Sequence, residues 1–202
     1  VDADTRIAAE SEDAYQAALQ LRSYLSEMSD VSVEIVREGA REGDIVLNQD
    51  ATLSDELDEE GYLIHIGDQI VIDAPAYTGL LYGGVSISQI LYQDEMHARV
   101  PKGIIRDYPE YSVRGGMHDV ARKYFSLDYI EEMGRYMAWF KLNTLHLHIN
   151  EDSGLGGEYS SSFVVESKKY PQLNTYNGEY VWSQDDYRQM QKDLKKVGID
   201  VV

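Results

Sequence analysis

The spacing of apolar and polar residues predicts a mixed layer of strands and helices over the first hundred positions. Apolar residues recur at helical spacing through 8–28 and again through 79–92. Period-two alternation or short apolar runs predict strands at 31–35, 44–47, 62–66 and 70–72. A Gly-Asp pair at 67–68 separates the last two, which is typical of a β-hairpin. We therefore expect an α+β layer, with one sheet and its helices on one face.

A second pattern begins after residues 93–109, which contain prolines and a glycine and are interpreted as a boundary between domains 1–106 and 107–202. The elements predicted beyond it are a strand at 111–117, a helix capped by Ser126, a strand at 145–149, a long polar loop, a helix capped by Ser183 and a strand from 199. The connections are long enough for parallel strands. Either this sheet is very small, or the chain is a piece of a longer α/β protein.

Composition excludes several classes of function. The chain has 202 residues, 43% of them hydrophobic and 27% charged, as in globular proteins. Its net charge is −18, and residues 1–103 hold 21 acidic against six basic side chains, so nucleic acids and anionic membranes are unfavourable partners. Cysteine is absent, which excludes disulfides, thiolate metal sites and a cysteine nucleophile. The sequence contains no glycine-rich phosphate loop that would indicate a nucleotide cofactor.

Two histidines and a carboxylate are candidates for chemistry near the strand at 145–149. His146 and His148 are two residues apart, so on a strand they share one face. This spacing suits a metal, for which His118 and Asp119 are candidate further ligands, although hydrogen-bonded histidines of a core are more common. Glu151 follows at the carboxyl end of the strand, where open sheets and barrels place their sites.

The strand at 111–117 is also followed by candidate binding residues. Arg122 lies past the end of this strand, where its planar fork can hold two hydroxyls or a carboxylate. Arg114 is expected inside the strand, in an internal ion pair with Asp119 or another acid. Trp182 and Tyr180 flank a loop and are candidates for stacking on a sugar.

Four segments carry a family resemblance through their order and spacing. They are YTGLLYGGV at 77–85, IRDYP at 105–109, RGGMHDVAR at 114–122 and KLNTLHLHINED at 141–152. Together they resemble glycoside hydrolase family 20, the β-N-acetylhexosaminidases. The resemblance implies an α/β fold class: an N-terminal α+β domain followed by the first strands and helices of a truncated (β/α)8 TIM barrel. The strands at 111–117, 145–149 and 199–202 are then barrel strands one to three.

The resemblance also implies roles for individual residues. Arg122 is expected to bind hydroxyls of the terminal N-acetyl sugar, and Glu151 lies beside it where the family usually has Asp. The remaining motif positions are expected to be structural, and neither a metal nor a cofactor is expected; these positions are Arg114, Asp119, His146 and His148. In the family mechanism the substrate's acetamido oxygen attacks the anomeric carbon, assisted by an Asp-Glu pair. That pair has no counterpart here and is expected downstream of Val202.

These expectations define a main hypothesis and two rivals. The chain is interpreted as an inactive fragment of a bacterial extracellular or cell-surface glycosidase, whose partner is a glycan ending in β-linked N-acetylhexosamine. Neither nucleic acid nor a membrane is an expected partner. Its incomplete barrel is expected to self-associate through an open strand edge and an uncovered apolar face. The rivals are a non-catalytic carbohydrate-binding or structural module and a metal-dependent barrel hydrolase.

Overall fold

A computed structural model describes residues 1–2, 4–28, 33–151, 163–174 and 180–202 of the chain. The chain divides into two compact units, unit 1 at 1–112 and unit 2 at 113–202. Across the described residues, each helix falls short of the length and apolar character that a membrane span requires.

Unit 1 is a six-stranded sheet with two long helices. Its elements are β1 (Arg6–Ala9), α1 (Glu12–Met28), β2 (Glu34–Val36), β3 (Ile45–Gln49), α2 (Ser54–Leu57), β4 (Tyr62–Ile66), β5 (Ile70–Ala74), α3 (Tyr77–Gln93) and β6 (Gly103–Asp107). The strand order is β2-β1-β3-β5-β4-β6. The first four of these are parallel, and β4 is antiparallel to both β5 and β6.

The core of unit 1 forms where α1 and α3 pack against each other and against the sheet. Its largest fully buried side chains come from both helices and four strands: Ile7, Leu21, Ile45, Tyr62, Ile64, Ile72, Tyr82 and Ile87. The helix α3 approaches the sheet closely, since a Cβ on Gly83 would lie 2.4 Å from a methyl of Ile72. The helices and hairpin predicted from periodicity are therefore confirmed, and they enclose one apolar core.

Three features of unit 1 differ from the sequence prediction. The first is β1, which occupies the start of the segment predicted as helix, so α1 begins only at Glu12. A four-residue strand buried in a parallel sheet has no polar alternation to reveal it. The second is β6, which lies within the predicted boundary segment and is largely exposed. The third is α2, a single helical turn between the strands predicted at 44–47 and 62–66, where no element was predicted.

Unit 2 is a three-stranded parallel sheet with two helices. Its elements are β7 (Gly115–Asp119), α4 (Leu127–Trp139), β8 (Thr144–His148), α5 (Gln184–Lys196) and β9 (Asp200–Val201), in sheet order β7-β8-β9. The predicted parallel order is confirmed, although β7 begins four residues later than expected. Both predicted caps are confirmed, since Ser126 Oγ accepts from the backbone N–H of Tyr129 and Ser183 Oγ accepts from that of Asp186.

The two faces of the unit 2 sheet differ in burial. Leu145 and Leu147 of β8 point toward the helices and join a core that also contains Ile130, Trp182 and Leu194. Side chains of alternate positions point to the other face, called here the open face. The open face carries Met117, Asp119, His146 and His148, and Met117 is 61% exposed.

Candidate functional site

The carboxyl ends of β7 and β8 lie side by side and bring four polar side chains together. Asp119, the last residue of β7, pairs in register with His148, the last residue of β8. The backbone N–H of Val120 donates to the carbonyl of His148 at 3.1 Å, which extends the pairing beyond the strands. Arg122 follows β7 by three residues and Glu151 follows β8 by three, so both reach the same edge of the sheet.

Asp119 organises the turn after β7 with both of its carboxylate oxygens. Its Oδ1 accepts hydrogen bonds from the backbone N–H groups of Ala121 at 3.1 Å and Arg122 at 3.0 Å. Its Oδ2 accepts from Arg122 Nη1 at 2.6 Å. An aspartate that bonds the backbone two and three residues ahead stabilises a tight turn. One carboxylate therefore holds both the main chain and the side chain of Arg122.

Glu151 closes the other side of the arginine. Its Oε2 forms an ion pair with Arg122 Nη2 and lies 3.2 Å from His148 Nε2. The resemblance places Glu151 beside Arg122, at a position where the family usually has the shorter aspartate. In the structure the described partners of its carboxylate are Arg122 and His148. The guanidinium of Arg122 consequently lies between two carboxylates.

Hydrogen bonds and charge keep the pair of Asp119 and Arg122 ionised. Burial of the Asp119 carboxyl favours its neutral form, but hydrogen bonds from the main chain and guanidinium of Arg122 outweigh that effect and lower its pKa below the ordinary value. The hydrogen bond to Asp119 in turn raises the pKa of Arg122. The Arg122 side chain remains 53% exposed, whereas those of Asp119 and Glu151 are 25% and 19% exposed. The Arg122 side chain thus combines a fixed charge with partial exposure to solvent.

Arg114 lies away from this cluster, so the acid expected to pair with it is not Asp119. It precedes β7, and its Nε donates to the carbonyl of Lys141 at 2.9 Å. Its backbone N–H donates to Asn143 Oδ1 at 2.9 Å, and its carbonyl accepts from the N–H of Asn143. Since β7 separates Arg114 from Asp119 by five residues, the two lie roughly 16 Å apart along the strand. Arg114 and Asn143 instead join the starts of β7 and β8.

The histidines do not assemble as the metal hypothesis required. His146 and His148 share the open face, but His118 is paired with Leu147 and points to the helix side. There its ring packs edge-on against Phe125, with centroids 4.5 Å apart. His118 therefore cannot complete a site with the other two. Within the described ranges, no group of three His, Asp or Glu side chains is arranged to hold a metal ion.

Trp182 is a core residue, so the prediction that it stacks on a sugar is wrong. It is 2% exposed, its Nε1 donates to the carbonyl of Phe125 at 3.0 Å, and its ring stacks on Tyr187. Tyr180 is partly exposed and packs against Tyr124. Asp152 and most of the polar loop lie outside the described residues.

Comparison with known proteins decides the family. The model of glycosyl hydrolase family 20, domain 2, matches residues 1–108, and that of the family 20 catalytic domain matches residues 111–202. The chain belongs to glycosyl hydrolase family 20. This confirms the resemblance carried by the four motif segments.

Curated relatives show how much of such an enzyme the chain represents. A beta-hexosaminidase of Vibrio furnissii is 30% identical over 131 residues, which cover 64% of this chain and 20% of that protein. Beta-hexosaminidase 1 of Coccidioides posadasii is 33% identical, with 71% of this chain and 24% of that protein covered. A lacto-N-biosidase of Bifidobacterium bifidum is 28% identical over 95% of this chain and 16% of its own length. The chain thus spans about a quarter or less of these relatives.

Solved structures confirm the fold class. A mutant Streptomyces plicatus beta-hexosaminidase in complex with its product GlcNAc superposes with a TM-score of 0.85 at 22% identity, covering all of this chain and 41% of that one. The beta-N-acetylhexosaminidase of Bacteroides fragilis gives 0.79 at 24% identity, covering 100% of this chain and 40% of that one. These likenesses support an N-terminal α+β domain followed by the first elements of a (β/α)8 barrel.

Proposed function

We propose that this chain is the N-terminal portion of a β-N-acetylhexosaminidase and that Arg122 and Glu151 form part of its site for the terminal sugar. The observation that carries the proposal is the half-exposed side chain of Arg122 at the carboxyl end of β7, with its guanidinium held between Asp119 and Glu151. In barrel enzymes this edge of the strands bears the active site. We further propose residues 1–106 and 107–202 as the two domains, and an extracellular or cell-surface location.

The chemistry of the cluster suits a neutral, hydroxyl-rich ligand. A guanidinium donates several hydrogen bonds in one plane, which matches two neighbouring hydroxyl oxygens of a sugar ring. The oxygens of Glu151 can accept from the same hydroxyl groups. Because the two carboxylates offset the charge of Arg122, the site does not select an anion by charge alone. A terminal N-acetylhexosamine fits this requirement, and GlcNAc is the molecule bound in the Streptomyces plicatus structure.

Catalysis in this proposal belongs to the longer enzyme. The substrate's own acetamido oxygen is the nucleophile, and an Asp-Glu pair outside these residues orients it and transfers the proton. The present chain contributes substrate binding through Arg122 and Glu151, and His146, His148 and Arg114 contribute to the architecture of the strands. We therefore expect the isolated chain to hydrolyse no aryl N-acetyl-β-glucosaminide.

The experiment compares Arg122→Ala with Arg188→Ala in the full-length enzyme that contains this chain. Arg188 is a suitable control because it also pairs with an aspartate three residues away, at 2.6 Å, but on the exposed surface of α5. With an aryl N-acetyl-β-glucosaminide, Arg122→Ala should lower kcat/KM by about 100-fold or more, as expected for losing a charged contact to substrate. Arg188→Ala should leave it unchanged. Equal values for the two variants would refute the assignment of Arg122, and robust turnover by the isolated chain would refute the placement of the catalytic pair.

A lacto-N-biosidase-type activity is the second candidate. It is favoured by one observation: the Bifidobacterium bifidum lacto-N-biosidase aligns with 95% of this chain, compared with 64% for the Vibrio furnissii beta-hexosaminidase. Assaying the full-length enzyme on aryl glycosides of N-acetylglucosamine and of lacto-N-biose distinguishes the two. Preference for the second substrate would replace the first candidate while leaving the family assignment intact.

A further inference from the structure

We infer that Asp119 is a positioning residue that holds the guanidinium of Arg122 in its sugar-binding orientation. The inference rests on the proposed function of Arg122 and assigns Asp119 more than a structural place in the motif. Asp119 does not need to touch the sugar. Its proposed effect passes through Arg122 alone, and this makes the inference testable.

The geometry of Asp119 gives it control over Arg122 at two points. Its Oδ1 accepts from the backbone N–H of Arg122 at 3.0 Å, and its Oδ2 accepts from Nη1 at 2.6 Å. The first contact fixes where the side chain of Arg122 starts, and the second fixes where it ends. An arginine side chain has many rotamers, so fixing both ends removes most of its freedom before a ligand arrives.

Asp119 is itself fixed by the sheet. It is the last residue of β7 and pairs with His148, and the next residue, Val120, bonds the carbonyl of His148. Glu151 also contacts Arg122, but it lies three residues beyond β8 and does not bond the arginine main chain in the contacts described. A residue on a regular strand holds a functional group more rigidly than a residue beyond its end. Asp119 therefore fixes the guanidinium relative to the regular strand β7.

The chain offers a second pair with the same side-chain contact and the same spacing. Arg188 Nη1 and Asp185 Oδ1 are also 2.6 Å apart and also three residues apart. The Asp185 side chain is 84% exposed, compared with 25% for Asp119. Asp185 therefore controls for the general effect of removing an aspartate that pairs with an arginine three residues ahead. The inference predicts that only Asp119 affects sugar binding.

The variant Asp119→Asn separates the two contacts. The amide oxygen of asparagine can still accept from the backbone N–H groups of Ala121 and Arg122, so the turn is retained. Its NH2 group then faces Arg122 Nη1 and offers that nitrogen no acceptor. In the full-length enzyme we expect kcat/KM for an aryl N-acetyl-β-glucosaminide to fall on the order of 10- to 100-fold, mainly through KM. Asp185→Asn should have no effect.

A double-mutant cycle with Arg122→Ala distinguishes positioning from a general structural role. If Asp119 acts through Arg122, adding Asp119→Asn to Arg122→Ala should cause no further loss of kcat/KM. A further loss of similar size in the double variant would show that Asp119→Asn acts independently of Arg122, for example by damaging the fold. That result would overturn the inference. If Arg122→Ala reduces activity while Asp119→Asn matches Asp185→Asn, the inference fails and the proposed function stands. If Arg122→Ala itself has no effect, the proposed function fails, and the inference fails with it.

Discussion

Removing the carboxylate of Asp44 should destabilise unit 1 more than the loss of an exposed charge would. The Asp44 side chain is fully buried at the start of β3. Its Oδ2 accepts from Arg6 Nη2 at 2.6 Å and from the backbone N–H of Arg41 at 2.8 Å, and its Oδ1 accepts from Arg6 Nε at 3.2 Å. Asp44→Ala therefore leaves three donors without their acceptor.

The magnitude follows from the burial of the two partners. Removing one partner of a fully buried ion pair costs about 3–5 kcal/mol, because the other charge is left without compensation. The Arg6 side chain is 18% exposed, and its Nη2 also donates to the carbonyl of Gly39. Water and this carbonyl reduce the penalty, so we expect Asp44→Ala to lower the free energy of unfolding by about 2–3 kcal/mol.

Urea unfolding measures this loss in the isolated chain. Both tryptophans, Trp139 and Trp182, lie in unit 2, so their fluorescence follows that unit while far-ultraviolet circular dichroism follows both. The dichroism midpoint assigned to unit 1 should fall by on the order of 1 M urea, and the fluorescence midpoint should not move. Asp68→Ala is the control, since Asp68 pairs with Lys102 at 2.8 Å but is 75% exposed. Equal shifts for the two variants would refute the reasoning.

The effect of Asp44 should also depend on pH. Burial alone would raise the pKa of Asp44, but hydrogen bonds from Arg6 and from the Arg41 main chain outweigh it and lower the pKa. The folded-state pKa is therefore below the unfolded value of about 3.9, so the stabilisation is complete above roughly pH 5 and is lost as the pH falls through the folded-state pKa. The stability difference between wild type and Asp44→Ala should shrink in acid. A difference that stays constant from neutral pH to pH 2 would contradict this.

Three further predictions concern unit 2. Gly115→Ala should destabilise it by about 1–3 kcal/mol in urea unfolding followed by tryptophan fluorescence, because the new Cβ would lie 1.9 Å from the carbonyl oxygen of Thr144. Gly116→Ala, with no atom within 4 Å of its Cβ among the described residues, is the matched control and should be far milder. Ser183→Ala should cost about 1 kcal/mol in the same assay, since its Oγ caps α5 through the N–H of Asp186, and no loss would refute the capping role. Sedimentation of the isolated chain should show association that increases with concentration, through the edges of the three-stranded sheet; a monomer throughout would contradict that.

The sequence by itself determined the helices and strands that are specified by local residue patterns. Helical spacing located α1 and α3, and serine side chains located the starts of α4 and α5, because a hydroxyl before a helix can bond its first free N–H groups. The alternation of apolar residues identified the hairpin of β4 and β5. The order of strand and helix in unit 2 was enough to predict parallel pairing.

The tertiary structure decided what depends on neighbours that are distant in the chain. The strand β6 is recognisable only through its pairing with β4, because its own residues are mostly exposed. The candidate site shows the same division. Sequence placed Arg122 and Glu151 near one strand edge, but the turn after β7 put Asp119 beside Arg122, and the length of β7 separated it from Arg114. The pairing of β7 with β8 brought Glu151 to the same guanidinium. The burial of Trp182 likewise depends on where α4 and α5 pack. Side-chain partners are selected by strand ends and register, which local patterns do not encode.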